Sequence, residues 1–208
     1  MMEELPQSIK VTLLGDPGVG KTCIISRYIY NEFKENNTPT TVANYSEKII
    51  LKGNKRYALN IWDTAGQEKF HSICKHFYKD SLMVCLVYDI TNQKSLEQLK
   101  TIWYPDVKNF GEKYTIIGVV GNKSDLYEEG DLADENEARQ FAKEIGGIFM
   151  LTSAKTGDGI EKLFEDLLNK FLSPEFKQKY VEYMKMKESS QILRKNKLDK
   201  NGKKKGCC

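Results

Sequence analysis

The sequence predicts an α/β fold, a mixed six-stranded sheet with one antiparallel edge strand and helices on both faces, and three observations predict it. Six short apolar runs rich in β-branched residues recur along the 208 residues, each of strand length. Segments with helical spacing of apolar residues separate most of them, the alternation that builds a largely parallel sheet. One connection breaks that alternation. Gly53-Asn54 lies directly between the second and third runs and signals a hairpin, which makes one edge pair antiparallel.

The first run, IKVTLLG (9–15), leads into Gly15-Asp16-Pro17-Gly18-Val19-Gly20-Lys21-Thr22 and then into a helical pattern. This is G-x-x-x-x-G-K-[ST] in the strand–loop–helix context the motif demands. The glycines let the backbone curl until its N–H groups point inward, the helix N-terminus adds partial positive charge, and Lys21 adds a full one. Such a loop holds phosphates, with the Thr22 hydroxyl offered to Mg²⁺. The hairpin runs YSEKIILK (45–52) and RYALNIW (56–62) follow, the second ending at Asp63-Thr64-Ala65-Gly66-Gln67. LMVCLVY (82–88) is the fourth run. TIIGVVG (115–121) leads into Asn122-Lys123-Ser124-Asp125, and GIFML (147–151) into Ser153-Ala154-Lys155. Strand ends are where open α/β sheets bind ligands. Ile160, Leu163, Phe164, Leu167, Leu168 and Phe171 then fall on one helix face, a core stripe. Beyond Leu172 a Ser-Pro pair opens a polar, lysine-rich stretch whose weak periodicity around YVEYMKMK fits a short helix or a solvated segment, so the domain ends near residue 173.

Charge is distributed unevenly. Residues 175–208 hold eleven Lys or Arg against four Asp or Glu, about +7, within a total of +3. No apolar run approaches the roughly 20 residues needed to span a bilayer, and MMEELPQSIK lacks the basic and apolar regions of a secretory signal, so a cytosolic protein is expected. Cys23, Cys74 and Cys85 show no metal-ligand spacing. Cys207 and Cys208 are adjacent and terminal. Nucleic-acid binding is disfavoured, because no aromatics interleave with the lysines from Gln191 onward.

Taken together and in this order, the four polar clusters resemble the Ras superfamily of small GTPases over roughly residues 8–172. The resemblance implies the P-loop NTPase fold in its small-GTPase form, with residues 1–173 a GTP-binding domain and 174–208 a flexible basic tail. It implies that Gly15, Gly18, Val19, Gly20, Lys21, Thr22 and Cys23 cradle the nucleotide, that Phe33 lies against guanine, and that Asn122, Lys123, Asp125, Ser153, Ala154 and Lys155 serve the base. Asp125 would accept from the N1–H and exocyclic amine of guanine, a donor pair adenine lacks, and such a mismatch discriminates by roughly 10⁴ or more. Asn122 would tie its loop to the phosphate loop, and the Ala154 N–H would meet the guanine carbonyl. Thr22, Thr40 and Asp63 would hold Mg²⁺, and the Gly66 N–H would meet the γ-phosphate. Gln67 would orient the attacking water, with Lys21 stabilising charge on the phosphoryl oxygens. Two segments, about 34–46 and 64–80, are then expected to order with GTP and relax with GDP. The stretch KENNTPTTVAN has no arginine, so intrinsic turnover on the order of 10⁻⁴ s⁻¹ is expected. Pro17, with its fixed φ and missing N–H, is expected to alter the response to activating proteins.

Within the superfamily the basic tail ending Gly206-Cys207-Cys208 resembles the Rab family, whose paired terminal cysteines are geranylgeranylated; two chains plus basic charge anchor firmly where one chain does not. Trp62, Tyr45 and Phe77 land on the aromatic triad that Rab effectors read, and Gln67-Glu68-Lys69-Phe70 is close to the Rab pattern. Thr40-Thr41-Val42-Ala43-Asn44-Tyr45 and Phe77-Tyr78-Lys79-Asp80-Ser81 depart from it. Trp103-Tyr104-Pro105-Asp106-Val107 looks more like a Rho helix, yet Asn122, the missing insert near 127–135 and the missing C-a-a-X box speak against Rho. The resemblance implies a GTP/GDP switch that hydrolyses GTP slowly and recruits effectors in vesicle-mediated transport. The alternatives are a Rho- or Ras-like signalling GTPase and a GTP-binding scaffold with little hydrolysis. Implied partners are a guanine-nucleotide exchange factor, a GTPase-activating protein, a dissociation inhibitor and effectors, with a lipidated tail on the cytoplasmic face of an intracellular membrane, cycling with the cytosol. His71 and His76 have solvated or packing roles in this reading.

Overall fold

The computed structural model describes residues 5–34, 44–64, 79–128 and 132–202. These hold β1 (Ser8–Leu14), α1 (Lys21–Tyr30), β2 (Asn44–Lys52), β3 (Lys55–Asp63), β4 (Met83–Asp89), α2 (Gln93–Gln98), a π-helical turn (Leu99–Trp103) and α3 (Tyr104–Phe110). Then come β5 (Ile116–Asn122), a 3₁₀ turn (Ser124–Leu126), α4 (Glu135–Glu144), β6 (Ile148–Thr152), α5 (Ile160–Leu172) and α6 (Pro174–Gly202). The strands lie in the order β2-β3-β1-β4-β5-β6. β2 and β3 pair antiparallel, with Lys52 opposite Lys55, and the other pairs are parallel. Gly53 turns this hairpin with φ 59°, a left-handed value that a two-residue loop favours.

β4 shows why its sequence is apolar throughout. Alternate residues of a strand point to opposite faces, so Met83, Cys85 and Val87 enter one core with α1 and α5, while Val84, Leu86 and Tyr88 enter the other with α2, α3 and α4. A strand covered on both faces needs apolar residues at every position. The stripe from Ile160 to Phe171 is fully buried in the first core, where Phe164 stacks on Tyr28 of α1 at a centroid distance of 3.8 Å. β2 is the sheet edge and leaves Tyr45, Ile49 and Leu51 exposed.

Of the two forms left open for the stretch beyond Leu172, a helix is the one present, and it runs from Pro174 to Gly202. The Ser-Pro pair ends α5 and also starts the next helix. Ser173 Oγ accepts the Phe176 N–H at 3.2 Å, an N-cap, and Pro174 occupies the first helical position, where its missing N–H costs nothing. Phe176 is buried in the first core, and Tyr114, before β5, meets Phe176, Tyr180 and Tyr183 edge-on. Tyr183 donates its phenol proton to Glu112 Oε2 at 2.6 Å, and Lys187 pairs with Glu112 Oε1 at 3.4 Å. Anchors four and three residues apart at 176, 180 and 183 form one helix face. The sequence shows them as a weak pattern because their partner surface, residues 112–114, is small.

Candidate functional site

Parallel register brings the polar clusters together. Leu13 of β1 pairs with Asp63 of β3, Asp89 of β4 with Asn122 of β5, and Asn122 with Thr152 of β6, so the carboxyl ends of five strands open on one rim. At that rim the loop after β1 wraps Lys21, which is 6 % exposed and donates from Nζ to the carbonyls of Gly15 at 2.6 Å and Asp16 at 2.9 Å. Two glycines make this path possible. A Cβ on Gly15 would collide with the backbone carbonyl of Val87, and Gly20, at φ 97°, would meet the Asn122 amide. Gly20 is also the N-cap of α1 and supplies no side chain, so no capping side chain takes the first N–H groups of the helix. Gly18 is left-handed and Val19 is buried beneath the loop.

Thr22, one residue into α1, donates its hydroxyl to Asp63 Oδ2 at 2.7 Å. Asp63 is itself buried, and among the described residues its Oδ1 accepts no hydrogen bond. The next residue, Thr64, fixes the strand end by donating to the Leu13 carbonyl at 2.6 Å. A hydroxyl and a carboxylate side by side are hard oxygen donors, a set that suits a divalent cation of the Mg²⁺ class.

Asn122 joins three loops. Its Nδ2 donates to the Val19 carbonyl of the first loop at 2.8 Å, while its Oδ1 accepts from Thr152 Oγ1 at 3.2 Å and from the Ala154 N–H at 3.3 Å. Next to it Lys123 holds a left-handed φ of 70°, uncommon for a side chain of this size, and its ammonium pairs with Asp89 Oδ2 at 2.6 Å. Asp125 accepts the Ser153 hydroxyl at 2.6 Å, and Ser153 Oγ accepts the Thr156 N–H. The loops after β5 and β6 are therefore one hydrogen-bonded unit, wired to the first loop through Asn122.

Phe33 and Cys23 lie half-buried against the first core. Lys155 sits on the outer loop. The remaining expected positions, Thr40, Gly66, Gln67, Cys207 and Cys208, lie outside the described residues, as do Cys74, Phe77, His71 and His76.

Sequence reasoning passed over Arg27 and Asp89. Arg27 reaches from α1 and donates from Nε to the Ala154 carbonyl at 2.8 Å and from Nη2 to the Lys155 carbonyl at 2.6 Å, clamping the third loop. Asp89 orients Lys123. An arginine on an amphipathic helix and an aspartate at a strand end look like solvated charge, and only the tertiary register assigns their partners. Cys85 beneath the rim is fully buried, and that burial pushes its thiol up to about 12, which removes it from any nucleophilic chemistry near neutral pH.

A model described as the Ras family matches residues 10–173. The chain is similar to the Ras-related protein Rab-31 of Mus musculus, 39% identical over 161 residues that cover 77% of this chain and 82% of that protein. It is also similar to Rab-4 of Dictyostelium discoideum, 41% identical over 156 residues with 75% of each chain covered, and to Rab-21 of Homo sapiens, 39% identical over 165 residues covering 79% and 72%.

Proposed function

The chain belongs to the Ras family and is a Rab-like small GTPase, and on that premise we propose the roles of its residues in a GTP/GDP switch. The Asn122 bridge supports the reading best, because it links a phosphate-holding loop to a base-reading loop through one side chain. Binding of phosphates and of base is then a single event. The N–H groups of the loop and of the start of α1, with the Lys21 ammonium, hold the phosphates, and Asp125, already fixed by Ser153, accepts the guanine donor pair.

Thr22, Asp63 and Thr40 would hold Mg²⁺, which when bound would neutralise phosphate charge. Gln67 orients water in line with the γ-phosphate, and the loop N–H groups with Lys21 stabilise the charge that develops. No arginine lies in residues 34–44, so the chain hydrolyses slowly alone and a GTPase-activating protein supplies the missing charge. Exchange factors, a dissociation inhibitor and effectors act on the same cycle, and prenylation of Cys207 and Cys208 with the lysines before them holds the protein on the cytoplasmic face of a transport membrane. Among the described residues no helix is long and apolar enough to cross a membrane.

Single-turnover GTP hydrolysis with Mg²⁺ tests this reading. We expect a slow single exponential that excess unlabelled GTP competes and excess ATP does not, slowed at least about tenfold in Gln67→Leu. Tight GTP binding with no hydrolysis in the parent chain overturns the switch in favour of a scaffold.

A further inference from the structure

The Trp103-Tyr104-Pro105 stretch has no place in the site described so far, yet it reaches that site by a continuous set of contacts. Pro105 has no N–H to give to Thr101, and its ring crowds that carbonyl. Directly before it the helix opens by one residue, and the Tyr104 N–H donates to the Leu99 carbonyl, five positions back, in the turn Leu99–Trp103. A π-turn of this kind shifts the phase of the side chains around it and recurs at functional sites. The side chain it aims here is Trp103, buried in the second core beside Leu99 and Val107.

The Trp103 indole N–H donates to Asp16 Oδ1 at 2.9 Å. The Gln98 amide, nitrogen inward, lies against the same carboxylate. Asp16 belongs to the loop around Lys21, and its backbone carbonyl is one of the two that receive the Lys21 ammonium. One residue thus faces two ways, its side chain to the helix layer and its carbonyl to the lysine.

We propose that Trp103 is a positioning residue for Lys21, acting through Asp16, so that the strength of the contact to the terminal phosphates is set from the α2–α3 side of the sheet. The inference rests on the nucleotide reading above. An indole inside a π-turn is rigid, its bond to a carboxylate is charge-assisted, and Pro17 next to Asp16 has a fixed φ. The outer arm of the loop therefore moves with the helix that carries Trp103.

The experiment measures the affinities of GDP and GMP at saturating Mg²⁺ for the full chain and for Trp103→Phe, Asp16→Ala and the double variant. Phenylalanine keeps an aromatic ring in the core, deletes the donor and removes part of the indole volume, a packing loss that the GMP arm reads separately. GMP lacks the terminal phosphates that Lys21 serves, so a positioning role weakens GDP binding and spares GMP, whereas a general loosening of the fold weakens both. The expected result is a GDP affinity about tenfold lower in Trp103→Phe, unchanged GMP affinity, and a double variant no weaker than Asp16→Ala alone. Equal losses for both nucleotides, unchanged GDP affinity, or additive losses in the double variant overturn the proposal. A parent chain that binds neither guanine nucleotide overturns instead the reading beneath it, a result distinct from each of these.

Discussion

Gly20 joins a left-handed backbone to close contact with the bridging side chain of the rim. Its φ of 97° disfavours every L side chain, and a Cβ there would displace the Asn122 amide that bridges to Val19. Left-handed strain of about 1–3 kcal/mol adds to the loss of a buried hydrogen bond of about 1 kcal/mol. Gly20→Ala is therefore expected to destabilise the ligand-free protein by about 2–4 kcal/mol, read by denaturant unfolding, and to lower GDP affinity at least about thirtyfold by disconnecting base and phosphate loops. Wild-type affinity in a stable Gly20→Ala variant would show that the bridge is dispensable. The motif around Gly20 was legible in the sequence because the spacing of glycines and lysine is itself the backbone path. Arg27 and Asp89 were not legible, since the groups they hold lie over a hundred and over thirty residues away and no local pattern announces them.

At the scale of elements, α6 is held by its first turns. Tyr183 is hydrogen-bonded to Glu112, and that bond, with burial and the nearby negative charge, pushes its phenol up to about 12. A phenol raised above its unfolded value of about 10 contributes stability that is fully present below pH ~10 and is lost as pH rises through about 12. Difference absorbance of the ionising tyrosines should show one phenolic step, absent from Tyr183→Phe, delayed beyond the others that are exposed. At neutral pH the same variant should be cut faster by protease between residues 184 and 202, by about five- to tenfold, with the α/β domain left intact. Cleavage at the parental rate would mean that the Tyr114 ring contacts alone hold the helix. The sequence shows Ser173-Pro174 clearly but leaves its meaning open, because the same pair that stops one helix caps the next; burial of Phe176 decides between them.

For the whole molecule, ligand and fold are one equilibrium. The loops at the strand ends carry buried polar groups whose arrangement a nucleotide would complete, so the bound form gains stability by mass action. At a thousandfold excess over Kd the gain is about 4 kcal/mol, and at about 2–4 °C per kcal/mol for a domain of this size Tm should fall by roughly 10 °C when EDTA strips metal and nucleotide. Calorimetry with and without GDP and Mg²⁺ checks this, and an unchanged Tm would mean that the rim is preformed and unoccupied under both conditions. The mixed sheet with its antiparallel edge pair was legible, since strands alternating with helices and one tight hairpin leave few topologies, whereas the strand order comes from the structure. α6 has a consequence of another kind. A 29-residue coil separates its ends by roughly 30 Å with a broad spread, whereas this helix, at 1.5 Å per residue, fixes a span of about 43 Å. Whatever is fastened beyond Gly202 is therefore joined to the domain through a helix of fixed length, where a coil would vary in reach.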